Sequence, residues 1–405
     1  MQLRFSILKK IPFAIPFEVR VSIFQHLIIN DRVLHGSTER LDALGHDQRL
    51  RVIIRRGAVA QDGFEMLGGV DLKAPLDIVM IDQFGQEEWR IDGGGQFKEF
   101  FTTLCQEVLM TNSGLWSRDK CGWLYPTSHA YATEAHSLDW YWFVGHMIGK
   151  AMYEGILMEV EFAYFFLSKW LGRRSCLDDL FLLDPDLYRR LLSLKHSTEN
   201  IEDLSLNFTI ATEVEFGVTQ RVDLIPNGRN IAVSTENRLR YIKLVTGYHL
   251  NARIKQQNEA FLEGLSQFIQ PKWLKMFDQQ ELQVLIAGAT VPIDLDDVRR
   301  NTTYKGIYHN GHATICTFWR VVNSFHRWQK HSLLRFVTNC SYPHALGFKE
   351  LVPNFTIRDD GSDENRLPTS STCVNLLKLP TYKSERQLRE MLLEALTSRA
   401  GFDSS

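Results

Sequence analysis

Apolar residues recur along this chain with the period of a helix far more often than with that of a strand. Trp140, Phe143, Val144, Met147, Ile148 and Ala151 fall at i, i+3, i+4 spacing, which predicts an amphipathic helix with its stripe turned inward. Core packing accounts for those aromatics better than a cofactor box does. Ile315, Phe318, Trp319 and Val322 repeat the pattern. So do Leu388, Met391, Leu392, Ala395 and Leu396, in a helix whose Ser384 and Gln387 fit a capping box. Strand-like runs are short, among them Asp77 to Ile81 and Val374 to Leu379. Helix in excess over short strands predicts an α+β fold. The best internal boundary is the turn-rich stretch from Thr302 to Gly311, which lies between helical patterns.

Composition narrows the class. A chain of 405 residues is too long for one ordinary core, so two or three units are expected. With 44% hydrophobic and 23% charged residues it reads as soluble and globular, and a net charge of −2 supplies no basic field for nucleic acid. The apolar run from Ile11 to Phe17 follows two lysines, yet Pro12 and Pro16 break it and Glu18 and Arg20 follow at once, which argues against a secretory signal. No stretch approaches the roughly 20 apolar residues needed to span a bilayer. The six cysteines are scattered without a C-x-x-C pair, so neither a metal site nor a disulfide scaffold is expected, and the cytosol or nucleus is the simplest compartment. The glycines at 93, 94 and 95 lack the Lys-Ser/Thr of a phosphate-binding loop and suit a tight turn that opens a helix at Gln96.

Cys373 stands apart from the other thiols. It follows the hydroxyl-rich run Thr369-Ser370-Ser371-Thr372 and opens the apolar run Val374 to Leu379, which predicts a thiol at the exposed start of a strand, 405 − 373 = 32 residues before the C-terminus. An accessible thiol can react. Together with Ile53-Ile54-Arg55-Arg56, Ile91 to Phe100, Gly145 to Gly155, Asn207-Phe208-Thr209, Thr235 to Arg238, Met276 to Leu282 and Gly347 to Leu351, this ending resembles, in order and spacing, the catalytic module of HECT-type ubiquitin ligases. The Phe277-Asp278-Gln279-Gln280-Glu281 stretch and the Ser-Thr-Cys ending are most similar to the branch that associates with proteasomes and extends ubiquitin chains.

The resemblance implies a bilobal domain. A large, mainly helical N-lobe would occupy residues 1–301, with a subdomain for the conjugating enzyme near 160–235. A hinge would follow over 302–311, and a small α/β C-lobe over 312–405. It implies no cofactor and no metal, because passing ubiquitin from one cysteine to another exchanges one thioester for another. Cys373 would be the acceptor, and Thr372 and Ser371 can offer hydroxyls to its thiolate. Phe402 would support transfer to lysine. Leu187, Leu191, Leu204, Leu206 and Tyr241 would bind the conjugating enzyme, with the first pair on one helix face and the second alternating along a strand edge. Tyr304, Gly306 and Tyr308 would form the hinge. The implied partners are a conjugating enzyme, ubiquitin, protein substrates and the proteasome, with no nucleic acid and no membrane. Four departures stand out: Ile307 for a hinge glycine, Ser371 for a common histidine, Tyr342 for a common arginine, and Glu88-Trp89-Arg90 for small residues. The general base for lysine attack is unassigned. Asp359, Asp360, Asp363 and Glu364 are candidates, against a solvated charge run. Two other classes compete, a catalytically weak homologue acting as an interaction module and a cysteine hydrolase, the latter lacking recognisable His and Asn/Asp partners. The chain begins almost where the module does, as a fragment, short isoform or incomplete gene model would.

Overall fold

In the computed structural model the described residues are 11–35, 50–70, 72–73, 76–87, 95–110, 114–214 and 218–398. They form two compact units. One comprises Ala14–Val108, Ala151–Val160 and the chain from Val284 on; the other comprises Leu109–Lys150 and Glu161–Gln283 with the described residues before Ala14.

The first of these opens with helix α1 (Phe17–Leu34), strand β1 (Leu50–Arg55), helix α2 (Val59–Leu67), strand β2 (Leu76–Ile81) and helix α3 (Gly95–Cys105). β1 and β2 pair in parallel, Leu50 opposite Leu76 through Arg55 opposite Ile81, and parallel strands need a crossover, which α2 supplies. α3 starts at the last glycine of the triplet, one residue before the expected Gln96; Glu88 to Gly94 lie outside the described residues.

The second unit holds the hairpin β3 (Trp116–Arg118) and β4 (Leu124–Pro126), and most of helix α4 (Ala135–Glu154). It continues through α5 (Tyr164–Trp170), α6 (Pro185–His196), the hairpin β5 (Thr209–Val214) and β6 (Val218–Asp223), α7 (Arg238–Leu250), α8 (Lys255–Ser266) and the start of α9 (Gln279–Ala287). The glycines of the α4 motif have a packing reason. A Cβ on Gly145 would stand 2.0 Å from the carbonyl oxygen of Phe261, and one on Gly264 would stand 2.0 Å from that of Trp142. The backbones of α4 and α8 therefore touch where neither can carry a side chain.

After α9 the chain returns to the first unit and builds a small core of its own. Its elements are α10 (Leu295–Arg300), β7 (Thr303–Lys305), α11 (Ala313–Asn323), α12 (Arg327–Thr338), β8 (Thr356–Asp359), β9 (Thr369–Ser371), β10 (Leu376–Leu379) and α13 (Glu385–Thr397). The sheet order is β7-β8-β10-β9, with β8 parallel to both neighbours and β9 antiparallel to β10. Ile315, Phe318 and Val322 of α11 and Leu388 and Leu392 of α13 are buried against this sheet, as their spacing predicts.

Three local expectations change. Ser384 Oγ accepts from Gln387 N at 3.1 Å, but the Gln387 amide turns to the Glu364 carbonyl at 3.2 Å, so only half of the capping box closes. The first three residues of the hydroxyl-rich run, whose composition suits a turn, form strand β9. The strand expected from Val374 begins at Leu376, because residues Thr372–Val374 form one turn of 3-10 helix and Asn375 turns the chain with φ 50° and ψ 42°.

The residues expected to form a hinge are built into the small core. Tyr304 pairs with Ile357 between β7 and β8. Tyr308 is 4% exposed and its hydroxyl donates to the Leu379 carbonyl at 2.8 Å. Gly306 takes φ +74°, and a Cβ there would meet Asp359 Cβ at 3.0 Å. Ile307 projects into solvent at 60% exposure. Residues 288–294, between α9 and α10, also form neither helix nor strand, and they open at Gly288 with φ +91°.

Candidate active site

The backbone of Cys373 sits in the 3-10 turn between β9 and β10, which pair across it at Ser371 and Leu376. Asn375 locks that turn. Its N–H donates to the Thr372 carbonyl at 3.3 Å and its own carbonyl accepts from Thr356 N of β8 at 2.9 Å. The side chain is fully buried, and its Nδ2 donates to the Pro353 carbonyl at 2.6 Å. A left-handed conformation suits asparagine better than most residues. The turn is thus held by both neighbouring strands and by the loop before β8. Ser371 is buried and its hydroxyl has no hydrogen-bond partner, whereas Thr372 is partly exposed. Of the two expected hydroxyls, the Thr372 group is the more accessible.

Among the other thiols, burial pushes Cys105 up to about 12 and Cys340 up to about 11, so both are protonated at neutral pH. Cys121 and Cys176 are exposed. The acidic residues upstream of Cys373 are engaged in local contacts. Asp360 pairs with Arg366 at 3.1 Å and Glu364 with Lys383 at 2.6 Å, while Asp359 and Asp363 accept from the backbone of Gly361 and Asn365 at 3.2 and 3.0 Å. That arrangement fits a structured surface loop. Tyr342 packs its ring on His331 at 5.3 Å between centroids.

The expected docking residues for a conjugating enzyme all lie in the second unit but differ in exposure. Asp184 caps α6 by accepting from Leu187 N at 2.9 Å, and Pro185 follows at the first helical position, which fixes where the helix begins. Leu187 is partly exposed while Leu191, one turn on, is 4% exposed and belongs to the core. Leu204 is 53% exposed. It ends the 3-10 turn Ile201–Leu204, and Ser205 follows with φ 49°, so Leu204 and Leu206 do not alternate along a strand edge as expected. Tyr241, on α7, is partly buried with its ring edge-on to Phe208 at 5.6 Å, and burial raises its hydroxyl pKa. Leu239 and Phe181, which the sequence analysis does not single out, are 59% and 49% exposed. Phe402 lies outside the described residues. Among the described residues no cluster could hold a metal ion, and no helix is long and apolar enough to cross a membrane.

A family profile described as HECT-domain (ubiquitin-transferase) matches residues 102–405. Over 405 residues and 99% of its length the chain is 47% identical to a probable E3 ubiquitin protein ligase of Schizosaccharomyces pombe, of which it covers 39%. It is 41% identical to the E3 ubiquitin-protein ligase HUL5 of Saccharomyces cerevisiae over 99% of its length, covering 45% of that protein. It is 36% identical to the human ubiquitin-protein ligase E3B over 98% of its length, covering 40% of that protein. The chain thus spans less than half the length of each of these relatives.

Proposed function

The chain belongs to the HECT ubiquitin-transferase family, and from that premise we propose that it accepts ubiquitin from a conjugating enzyme as a thioester on Cys373 and passes it to lysines. The observation that carries this reading is the Cys373 turn, fixed on both sides by paired strands and by Asn375. Such fixation matters because the thiol must meet two successive reactants in defined orientations. The thiolate attacks the incoming thioester carbonyl, the new C–S bond forms and the old one breaks, and the conjugating enzyme leaves as its thiolate. No external energy source is needed. A thiol with a pKa near ambient pH is well suited to this exchange. In the second step a neutral amine forms the C–N bond, Cys373 leaves as thiolate, and the proton lost by the nitrogen passes to that thiolate or to solvent.

Leu204, which is exposed, and Leu187, Leu206 and Tyr241, which are partly so, support a docking face for the conjugating enzyme in the second unit, while Leu191 belongs to its core. Tyr241→Ala is expected to weaken conjugating-enzyme binding by about 2 kcal/mol, the scale of an aromatic anchor at an interface. Binding affinity and unfolding temperature are measured together, and a collapse of stability with normal affinity would place Tyr241 in the core instead.

We place the pivot between catalytic lobes at 288–294 rather than 302–311, because the latter is anchored by Tyr308 and β7 in the small core. The resemblance to the chain-extending branch implies chain extension and proteasome association, and the scattered cysteines suit a cytosolic or nuclear location. The reading as a catalytically weak homologue draws on Tyr342 and Ile307. Incubation with charged conjugating enzyme, with gels run with and without reductant, separates them. The ligase gives a reductant-sensitive ubiquitin adduct; the weak homologue gives none.

A further inference from the structure

Lys98 lies in the glycine-led motif at the start of α3, and nothing in the transfer chemistry above uses it. Its ammonium donates to Asn375 Oδ1 at 3.0 Å across 277 residues of sequence. Asn375 is the fully buried residue that closes the Cys373 turn, and its amide nitrogen is already committed to Pro353. Both ends of that amide are therefore occupied, one by the small core and one by α3. α3 itself packs along the 3-10 turn that carries Cys373. Burial, and after it the Lys98 charge, hold the His344 imidazole at about 4, so at neutral pH that histidine adds no second cation beside Lys98. Lys98 also borders a cavity of about 420 Å³ shared with Tyr342, Pro343 and His344, so its stem has open space on one side.

We propose that Lys98 is a positioning residue that latches the Cys373 turn onto α3, and that ubiquitin is discharged from Cys373 in this latched arrangement and loaded onto it in an unlatched one. The inference rests on Cys373 being the ubiquitin acceptor. A helix packed along the turn keeps a globular partner at a distance on that side, which the short cysteine side chain of a conjugating enzyme bridges less well than the long side chain of an acceptor lysine. Discharge also demands the more exact orientation, since the amine must meet the thioester carbonyl along a fixed line, and a charge-assisted hydrogen bond onto the turn supplies rigidity there.

The test uses the full chain in single-turnover assays, with the adduct formed from charged conjugating enzyme and then chased with ubiquitin as acceptor. Lys98→Met keeps the apolar stem and removes the donor; it should load within about twofold of the parent, or faster, and discharge about tenfold more slowly. Lys98→Arg keeps a charged donor and should restore most of the discharge rate. Should Lys98→Met lower the unfolding temperature, Lys98→Gln serves as the second donor-weakened variant. Unchanged discharge in the folded variant would overturn the latch, as would equal loss of loading and discharge, or loss of loading alone. Cys373→Ala, run alongside, separates the two levels. If that variant still forms the adduct, the assignment of the acceptor fails. If it forms none while Lys98→Met behaves as the parent, only the latch fails.

Discussion

Replacing Cys373 with alanine abolishes both the ubiquitin adduct and ligation, because no other described thiol can take over its place in the fold. At pKa values near 11 and 12, Cys340 and Cys105 expose on the order of one thiolate in ten thousand or fewer at pH 7. Cys121 and Cys176 are exposed and Cys316 is partly so, and these three are the ones that a control must remove, by Cys121→Ser, Cys176→Ser and Cys316→Ser, with the adduct retained. Cys373→Ser is expected to trap a reductant-resistant oxyester or to react too slowly to detect, since a hydroxyl is a far weaker nucleophile at neutral pH. The measurement is adduct formation followed by gel shift with and without reductant. Ligation surviving in the alanine variant would remove Cys373 from the mechanism.

Deleting Gly401 to Ser405 separates the two transfers. Loading needs two sulfur centres brought together, whereas discharge adds an amine that must approach in one orientation, where misplacement by about 1 Å can cost roughly a hundredfold. If Phe402 serves that orientation, the truncated chain accepts ubiquitin within about twofold of the parent rate while discharge to lysine falls by about a hundredfold. Single-turnover rates for each step decide it. Equal losses would reduce the tail to a stabiliser of the small core, and thermal unfolding of the truncated chain would then show the same deficit.

Local signals were legible in proportion to how local their causes are. The stripes of α4, α11 and α13 follow from periodicity, because a helix that buries one face must repeat its apolar residues at a fixed spacing, and the strand at Leu76–Ile81 follows from a short continuous apolar run. Turn chemistry was read less well. Thr369 to Thr372 look like a loop by composition, yet Ser370 and Ser371 are buried in a sheet whose other strands begin 66 residues upstream at Thr303. The run 302–311 reads as a hinge from its turn formers, whereas the hydrogen bond of Tyr308 and the pairing of Tyr304 with Ile357 are long-range contacts that leave no mark on composition. Leu187 and Leu191 share a helix face, but sharing a face does not say whether the face meets solvent or protein. The reach of Lys98 to Asn375 is beyond any periodicity. The transferase chemistry itself was readable only through the family likeness of motifs spread along the chain.

The unit that carries Cys373 is discontinuous, drawing on Ala14–Val108, on Ala151–Val160 and on everything from Val284 onward. On the ribosome its first strands and helices emerge early and must wait for partners made last, while the residues of Leu109–Lys150 and Glu161–Gln283 can pack among themselves beforehand. A nascent chain halted anywhere before α13 therefore lacks part of the apolar core that surrounds the reactive turn. Translation products that stop short of α13 are therefore expected to be unable to carry ubiquitin.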